Sequence, residues 1–251
     1  MFDDICTVFW RDWIVLKRRL ARFILSRMVA PILYLVAFGY GLGRSITIES
    51  GTYIDFLVPG ILALNSMNIS FNSITPVHAE RVYHKSLEEY ILAPIAPVSF
   101  VLGKILAAIL RSFIASVLIL ILALLFGASL QALADPATTV IFLAVLLLNS
   151  AVFAAFGFIA AMTVTTYESL SQLNTYILLP MSFLCGTFFK TSTLPETVRF
   201  FIELLPLTHT VELLRAMMTA TSIPLLPLVT LFVWLLVTLK AATYLFKKCS
   251  K

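Results

Sequence analysis

Long apolar stretches alternate with short charged connections along this chain. About 20 consecutive apolar residues carry a helix across a hydrocarbon core. On that criterion the pattern predicts six spans, at 24–43, 54–76, 100–126, 137–163, 174–189 and 224–245. The third tolerates Lys104 near its start and Arg111 in its interior, and the fifth is short and interrupted by Pro180.

Three segments do not read as spans. In 2–23, Ile5, Phe9, Trp13, Leu16 and Leu20 recur at helical spacing, with Arg11, Arg18, Arg19 and Arg22 on the remainder. A basic helix with an aromatic and apolar stripe is expected to lie in the membrane interface; the alternative is a cytoplasmic extension of the first span. In 79–97, Tyr83, Leu87, Tyr90 and Ile91 fall on one helical face, with Arg81, Lys85, Glu88 and Glu89 mostly on the other. Pro94 and Pro97 then stop the helix. This predicts one short amphipathic helix between two spans, which either rests on the membrane or docks in a groove of a partner. In 190–223, Thr193 and Glu196 fit a capping box with Pro195 in the first turn. An apolar stripe from Leu194 to Leu205 follows, Pro206 breaks it, and a second amphipathic stretch covers 210–218. Two short helices this apolar predict a re-entrant hairpin, because polar backbone at membrane depth is tolerated only inside protein or beside water.

Composition agrees with a membrane protein. The 251 residues are 60% hydrophobic and 12% charged, where soluble domains hold about 25% charged residues. Cys6, Cys185 and Cys249 show no metal or redox spacing. The first 23 residues lack the apolar core of a cleavable signal peptide. A net charge of +5 invites a nucleic-acid reading, but Lys and Arg cluster beside the spans, as orientation in a membrane requires. Arg11, Lys17, Arg18, Arg19 and Arg22 share one side with Arg81, Lys85, Lys247, Lys248 and Lys251 if the number of spans is even. Arg44, Lys190, Arg199 and Arg215 take the other side. Both termini are therefore expected in the cytoplasm of a multi-pass inner-membrane protein.

Catalytic chemistry is sparse. Gly103-Lys104 lacks the upstream glycine of a phosphate-binding loop. His78 and His84 flank Glu80, but their spacing fits no standard metal set, and a solvated helix explains them as well. His209 and Glu212, with Arg215 beyond, allow an intramembrane acid–base pair but lack a nucleophile or second carboxylate. Arg111 is the best intramembrane polar candidate, and a helix–helix ion pair explains it equally. Asp55 and Lys104 are expected to snorkel to the interfaces. Without a mid-membrane acidic relay, energy is expected from another polypeptide. Gly39 and Gly43 form a GxxxG spacing that permits close helix packing, and Gly127 and Gly157 have no evident role.

The order of these landmarks resembles the permease subunits of ABC-2 type exporters over nearly the whole chain. YIDFLVPGIL (53–62), LEEYILAPIAP (87–97), LLPMSFLCGTFF (178–189), the pair Leu194-Pro195 and LPLTHTVELLR (205–215) carry the resemblance. The last of these and SRMVAPILYLVAFGYGLG (26–43) are most similar to the nodulation-protein-J branch, which exports lipo-oligosaccharide. The resemblance implies one ABC-2 transmembrane domain over 1–251: an interfacial helix (1–23), a six-helix all-α membrane domain (24–245) and a cytoplasmic tail (246–251). It implies a homodimer in the bilayer working with a separate ABC ATPase, and an amphiphilic cargo such as a lipid-linked saccharide, glycolipid or hydrophobic drug. No cofactor is then expected on this chain, because ATP and Mg belong to the ATPase. Glu80, Arg81, Tyr83, Leu87, Glu88, Glu89 and Ile91 become the coupling helix that contacts the motor. Pro195, Pro206, His209, Glu212 and Arg215 become an extracellular hairpin or gate. An ion-coupled transporter and an intramembrane enzyme are the alternatives.

Overall fold

The computed structural model describes residues 1–42, 52–129, 131–189, 194–219 and 224–249. It is helical throughout, with no strand among the described residues. The helices are α1 (Phe2–Arg18), α2 (Leu20–Tyr34), α3 (Tyr53–Asn72), α4 (Thr75–Val82), α5 (Leu87–Leu92) and α6 (Pro97–Leu125). They continue as α7 (Pro136–Thr163), α8 (Tyr167–Leu173), α9 (Leu179–Leu184), α10 (Glu196–Glu203), α11 (Pro206–Met218) and α12 (Leu225–Cys249). Wide helical turns extend α2 through Leu35–Leu42 and join α8 to α9 through Asn174–Leu178.

Among the described residues, five helical stretches are long and apolar enough to cross a membrane: Leu20–Gly39, Tyr53–Val82, Pro97–Leu125, Pro136–Thr163 and Leu225–Cys249. They fall where the first, second, third, fourth and sixth apolar stretches predict. The expected span at 174–189 is instead the upper part of a broken helix that starts at Tyr167 and ends at Leu184. A wide turn opens where the helix meets Pro180, whose missing N–H and bulky ring disrupt the regular backbone ladder.

Local chemistry sets the helix starts. Pro97, Pro136 and Pro206 stand in the first turns of α6, α7 and α11, where a missing N–H costs nothing. Asp135 accepts from the Thr138 backbone N–H at 2.9 Å and caps α7. Asp55 closes the first turn of α3 by accepting from the Thr52 N–H at 3.1 Å, and it also accepts from the Ser129 N–H at 2.6 Å. It is thus a capping residue that also ties down the end of α6. The capping box expected at Thr193 lies outside the described residues, as do Arg44, Lys190 and Lys251; Pro195 stands immediately before α10, not within it.

α3 is the axis of the bundle. It packs against α6, α7 and α11, and nearly all of its side chains from Leu57 to Phe71 are buried. α12 covers α7, and α2 lies at the periphery. Gly157 allows the α3–α7 contact: a Cβ there would stand 2.5 Å from the Phe71 carbonyl oxygen. Gly103 does the same for α1 on α6, where a Cβ would meet the Val8 side chain at 2.7 Å. α1 runs along the first half of α6, with the Met1 carbonyl accepting from the Ser99 hydroxyl at 3.3 Å and Asp12 reaching Lys104. Phe246 near the end of α12 stacks on Phe100, with ring centroids 4.7 Å apart. Both ends of the described chain therefore sit at one end of the bundle, the terminal end, and the opposite end is the far end.

The expected continuous amphipathic helix over 79–97 is two helices, α4 and α5. Lys85 takes a left-handed backbone (φ 52°), which no α-helix accommodates, and this breaks the segment at 83–86. The break turns α5 so that Leu87 points into the bundle, while Tyr83 stands 53% exposed.

Candidate functional site

At the terminal end, charges from three helices meet in the protein interior. Asp12 of α1, Glu80 of α4 and Lys104 of α6 are all buried. Lys104 Nζ lies 3.2 Å from Asp12 Oδ1 and 3.5 Å from Glu80 Oε2. Arg11 pairs with the other Glu80 oxygen and lies over the Tyr90 ring at 5.1 Å. Arg111 donates to the Ser73 carbonyl at 2.9 Å and comes within 4.0 Å of Asp12. Lys104 therefore does not snorkel: carboxylates from two other helices hold it inside. Arg111 is a helix–helix tie, one of the two readings its position allows. Asp12 belongs to this cluster and no sequence motif points to it. One signal was available: Asp12 shares the α1 face of Val8 and Leu16, four residues to either side, and both are buried.

This cluster anchors the α4–α5 turn. Arg81 donates to the Val164 carbonyl, which ties α4 to the end of α7. Tyr83 stacks on Tyr167, with centroids 4.9 Å apart, and joins the turn to the start of the broken helix. His78 is fully buried beside these rings. His84 is exposed on the turn. Of the coupling candidates, Tyr83, Glu88 and Glu89 face outward, Ile91 is half-buried, and Glu80 and Leu87 face inward. Leu92, 86% exposed, joins the outward set.

The far end is organised differently. Pro206 starts α11, whose side chains from Leu207 to Val211 are buried against α3, α7 and α12. Thr210 donates to Asn149 Oδ1 at 2.8 Å, and Asn149 donates to Ser66 Oγ at 2.6 Å and to the Ala63 carbonyl at 3.2 Å. Asn149 and Ser66 sit near the midpoints of α7 and α3, so α11 begins deep in the bundle. Arg215, further along α11, donates to the carbonyls of Phe56 (3.3 Å) and Thr187 (3.0 Å) and lies 3.6 Å over the Phe56 ring. His209 is buried, and Glu212 is exposed. The two side chains share no hydrogen bond among the described residues, so the acid–base pair is not assembled. α10 buries Ile202 but leaves Val198, Phe200 and Phe201 exposed. Among the described residues no three His, Cys, Asp or Glu side chains are grouped to hold a metal ion.

The sequence matches a known family of membrane proteins. The ABC-2 type transporter family matches residues 3–219. Nodulation protein J of Bradyrhizobium diazoefficiens is 29% identical over 215 residues, covering 84% of this chain and 80% of the relative. Nodulation protein J of Sinorhizobium fredii is 26% identical over 213 residues, covering 84% and 79%. The inner membrane transport permease YadH of Escherichia coli is 23% identical over 213 residues, covering 80% and 81%. A multi-pass helical bundle, five apolar helices long enough to span, and a family match over most of the chain lead to one conclusion: this protein belongs to the ABC-2 type transporter family, as a membrane-spanning transport subunit.

Proposed function

We propose that this chain forms the passage of an ATP-driven exporter in the bacterial inner membrane. It works as a homodimer with a separate ABC ATPase that binds ATP and Mg. The terminal end faces the cytoplasm, and the broken helix Tyr167–Leu184 completes six spans. The α10–α11 hairpin, with Pro195, Pro206, His209, Glu212 and Arg215, is re-entrant from the outer side and shapes the exit. The cargo is an amphiphile: a lipid-linked saccharide, a glycolipid or a hydrophobic drug.

The exposed α4–α5 turn supports this reading most directly. It projects Tyr83, Glu88, Glu89 and Leu92 from the end that carries both ends of the described chain, and Glu80 pins it to α1 and α6. A push on such a turn moves membrane helices as a unit, because a buried charge cluster resists being pulled apart. Leu87 and Glu80 serve the anchor, and the contact to the motor falls on the outward residues.

Reconstitution in vesicles with a fluorescent lipid-linked saccharide tests the proposal. Transport is expected only with the ATPase, ATP and Mg together. Transport by the chain alone, or driven by an ion gradient, overturns it. Glu88→Arg with Glu89→Arg is expected to abolish co-purification of the ATPase while membrane insertion stays normal.

A further inference from the structure

Arg27 is the middle residue of α2 and lies inside the first membrane-crossing stretch, Leu20–Gly39. It is half-buried, and its side chain makes no hydrogen bond or ion pair among the described residues. Tyr34, at the end of α2, packs on Phe188 with ring centroids 5.4 Å apart. The Phe188 carbonyl accepts from the Tyr53 hydroxyl at the start of α3, so Tyr34 belongs to the far end. Arg27 is about 10 Å along the axis from Tyr34 and about 10 Å from Leu20 on the other side. An arginine within a span is costly in hydrocarbon and marks a functional position by default.

The carboxylates of α1, α3 and α6, which pack against α2, are placed elsewhere. No Asp or Glu occurs in 13–48 or 97–125. Asp55, the one acid of α3, caps its far end. Asp12 and Glu80 face Lys104, Arg111 and Arg11. Asp4 lies 3.3 Å from the N-terminal amine, and Asp3 precedes Lys17 by about 20 Å of helix. Glu88, Glu89 and Glu168 form no ion pair among the described residues. Lys17, Arg18, Arg19 and Arg22 are exposed around the joint of α1 and α2, also without ion pairs among the described residues. Membrane orientation accounts for those four cations. It does not account for Arg27, which stands within the span.

The surface beside Arg27 has the shape of an amphiphile. Arg22, Leu25, Val29 and Leu33 are exposed and recur at helical spacing, so they form one outward stripe. Its charged head stands toward the terminal end, and its apolar part runs about 12 Å from Leu25 to Leu33. Helical side chains lean toward the N-terminus of their helix, which for α2 is the terminal end. The Arg27 guanidinium therefore reaches back toward the level of Arg22, about 7 Å away along the axis, with its stem in apolar surroundings. A guanidinium fork matches a phosphate. Five cations without a neighbouring carboxylate favour a headgroup of net negative charge over one that carries its own ammonium.

We propose that an anionic phospholipid of the surrounding bilayer stands along α2, its phosphate held by Arg27 and Arg22 and an acyl chain on Leu25, Val29 and Leu33. This lipid site rests on the membrane-spanning fold and is independent of cargo, direction and motor. Native mass spectrometry of the full chain in detergent tests it, by titration with phosphatidylglycerol or with phosphatidylcholine of the same acyl chains. Saturable binding of phosphatidylglycerol is expected, and clearly weaker binding of phosphatidylcholine. Arg27→Gln is expected to weaken phosphatidylglycerol binding by about fivefold, the scale of one basic residue at a membrane surface. Arg22→Gln, at an exposed position, carries the same expectation and serves alone if Arg27→Gln does not purify as a folded particle. Lys248→Gln, on α12 at the same end, is expected to leave the affinity unchanged. Equal binding of the two lipids, or unchanged affinity in either folded arginine variant, overturns the proposal. An equal loss in Lys248→Gln also overturns it, because the attraction is then diffuse. Displacement of the lipid by inorganic phosphate overturns it as well, since the site then reads an anion without its chains. So does an arginine variant that splits a dimer while lipid still binds, because the face is then a contact between copies.

Discussion

The two ends of the bundle handle charge in opposite ways. At the terminal end, the carboxylates Asp12 and Glu80 are buried and face the cations Lys104, Arg111 and Arg11. At the far end, the carboxylates Asp55 and Asp135 accept from backbone N–H groups, the buried Arg215 faces backbone carbonyls, and the one ion pair among the described residues there, Arg199 with Glu203, is exposed and lies within a single helix. Charge answered by charge ties together helices far apart in the chain: Asp12 and Lys104 are 92 residues apart, Arg11 and Glu80 are 69 apart. Charge answered by backbone also joins distant segments, Arg215 to Phe56 across 159 residues and Asp55 to Ser129 across 74, but breaking such a contact leaves no buried opposite charge behind. On the proposed function, the first arrangement stands at the end where the motor would act.

The sharpest way to break this contrast is to remove Asp12. Asp12→Leu leaves Lys104 and Arg111 facing one fewer carboxylate in the protein interior. Uncompensated buried charge is expected to cost about 3–5 kcal/mol. Thermal unfolding in detergent reads this, and Asp12→Leu with Lys104→Met should recover much of the loss. If the single variant melts like the wild type, the cluster is not structural.

A smaller loss is expected at the far end. Arg215→Met removes the donors to Phe56 and Thr187 but strands no opposite charge. Two carbonyls lose a partner, at a cost of about 1–3 kcal/mol. The contrast fails if Arg215→Met destabilises more than Asp12→Leu.

Most of the helical layout was legible in the chain. Apolar runs at 54–76, 100–126 and 137–163 differ from α3, α6 and α7 by a few residues at most ends, because burial in lipid or protein demands the same composition. Two kinds of feature were not legible. The break at Lys85 comes from one left-handed residue that is not glycine, and nothing in HKS announces it. The charge cluster joins three helices, so no local pattern contains it. Lys104 was expected to snorkel because periodicity cannot show that Asp12 and Glu80 approach from elsewhere. The role of Gly157 was hidden for the same reason, since it answers to the Phe71 backbone across the bundle. The capping residues are the opposite case: Asp135-Pro136 is a helix start readable from a handful of neighbouring residues.

That cap gives the smallest expected effect and the cleanest pH signature. The Thr138 hydroxyl and N–H hold the Asp135 carboxyl below its ordinary value of 3.8. A carboxyl lowered on folding adds stability that is fully present above its unfolded value and is lost as pH falls through the lowered one. The difference in melting temperature between wild type and Asp135→Ala should therefore be constant near neutral pH and shrink as pH falls below the ordinary carboxyl value. Asp135→Asn keeps the acceptor without the charge, so its offset from Asp135→Ala should not vary with pH. A wild-type advantage over Asp135→Ala that stays the same from neutral to acid would show that α7 starts without help from this carboxylate. The far end would then depend on its buried carbonyl contacts alone, and the division between surface caps and buried charge pairs would be less sharp than the two ends suggest.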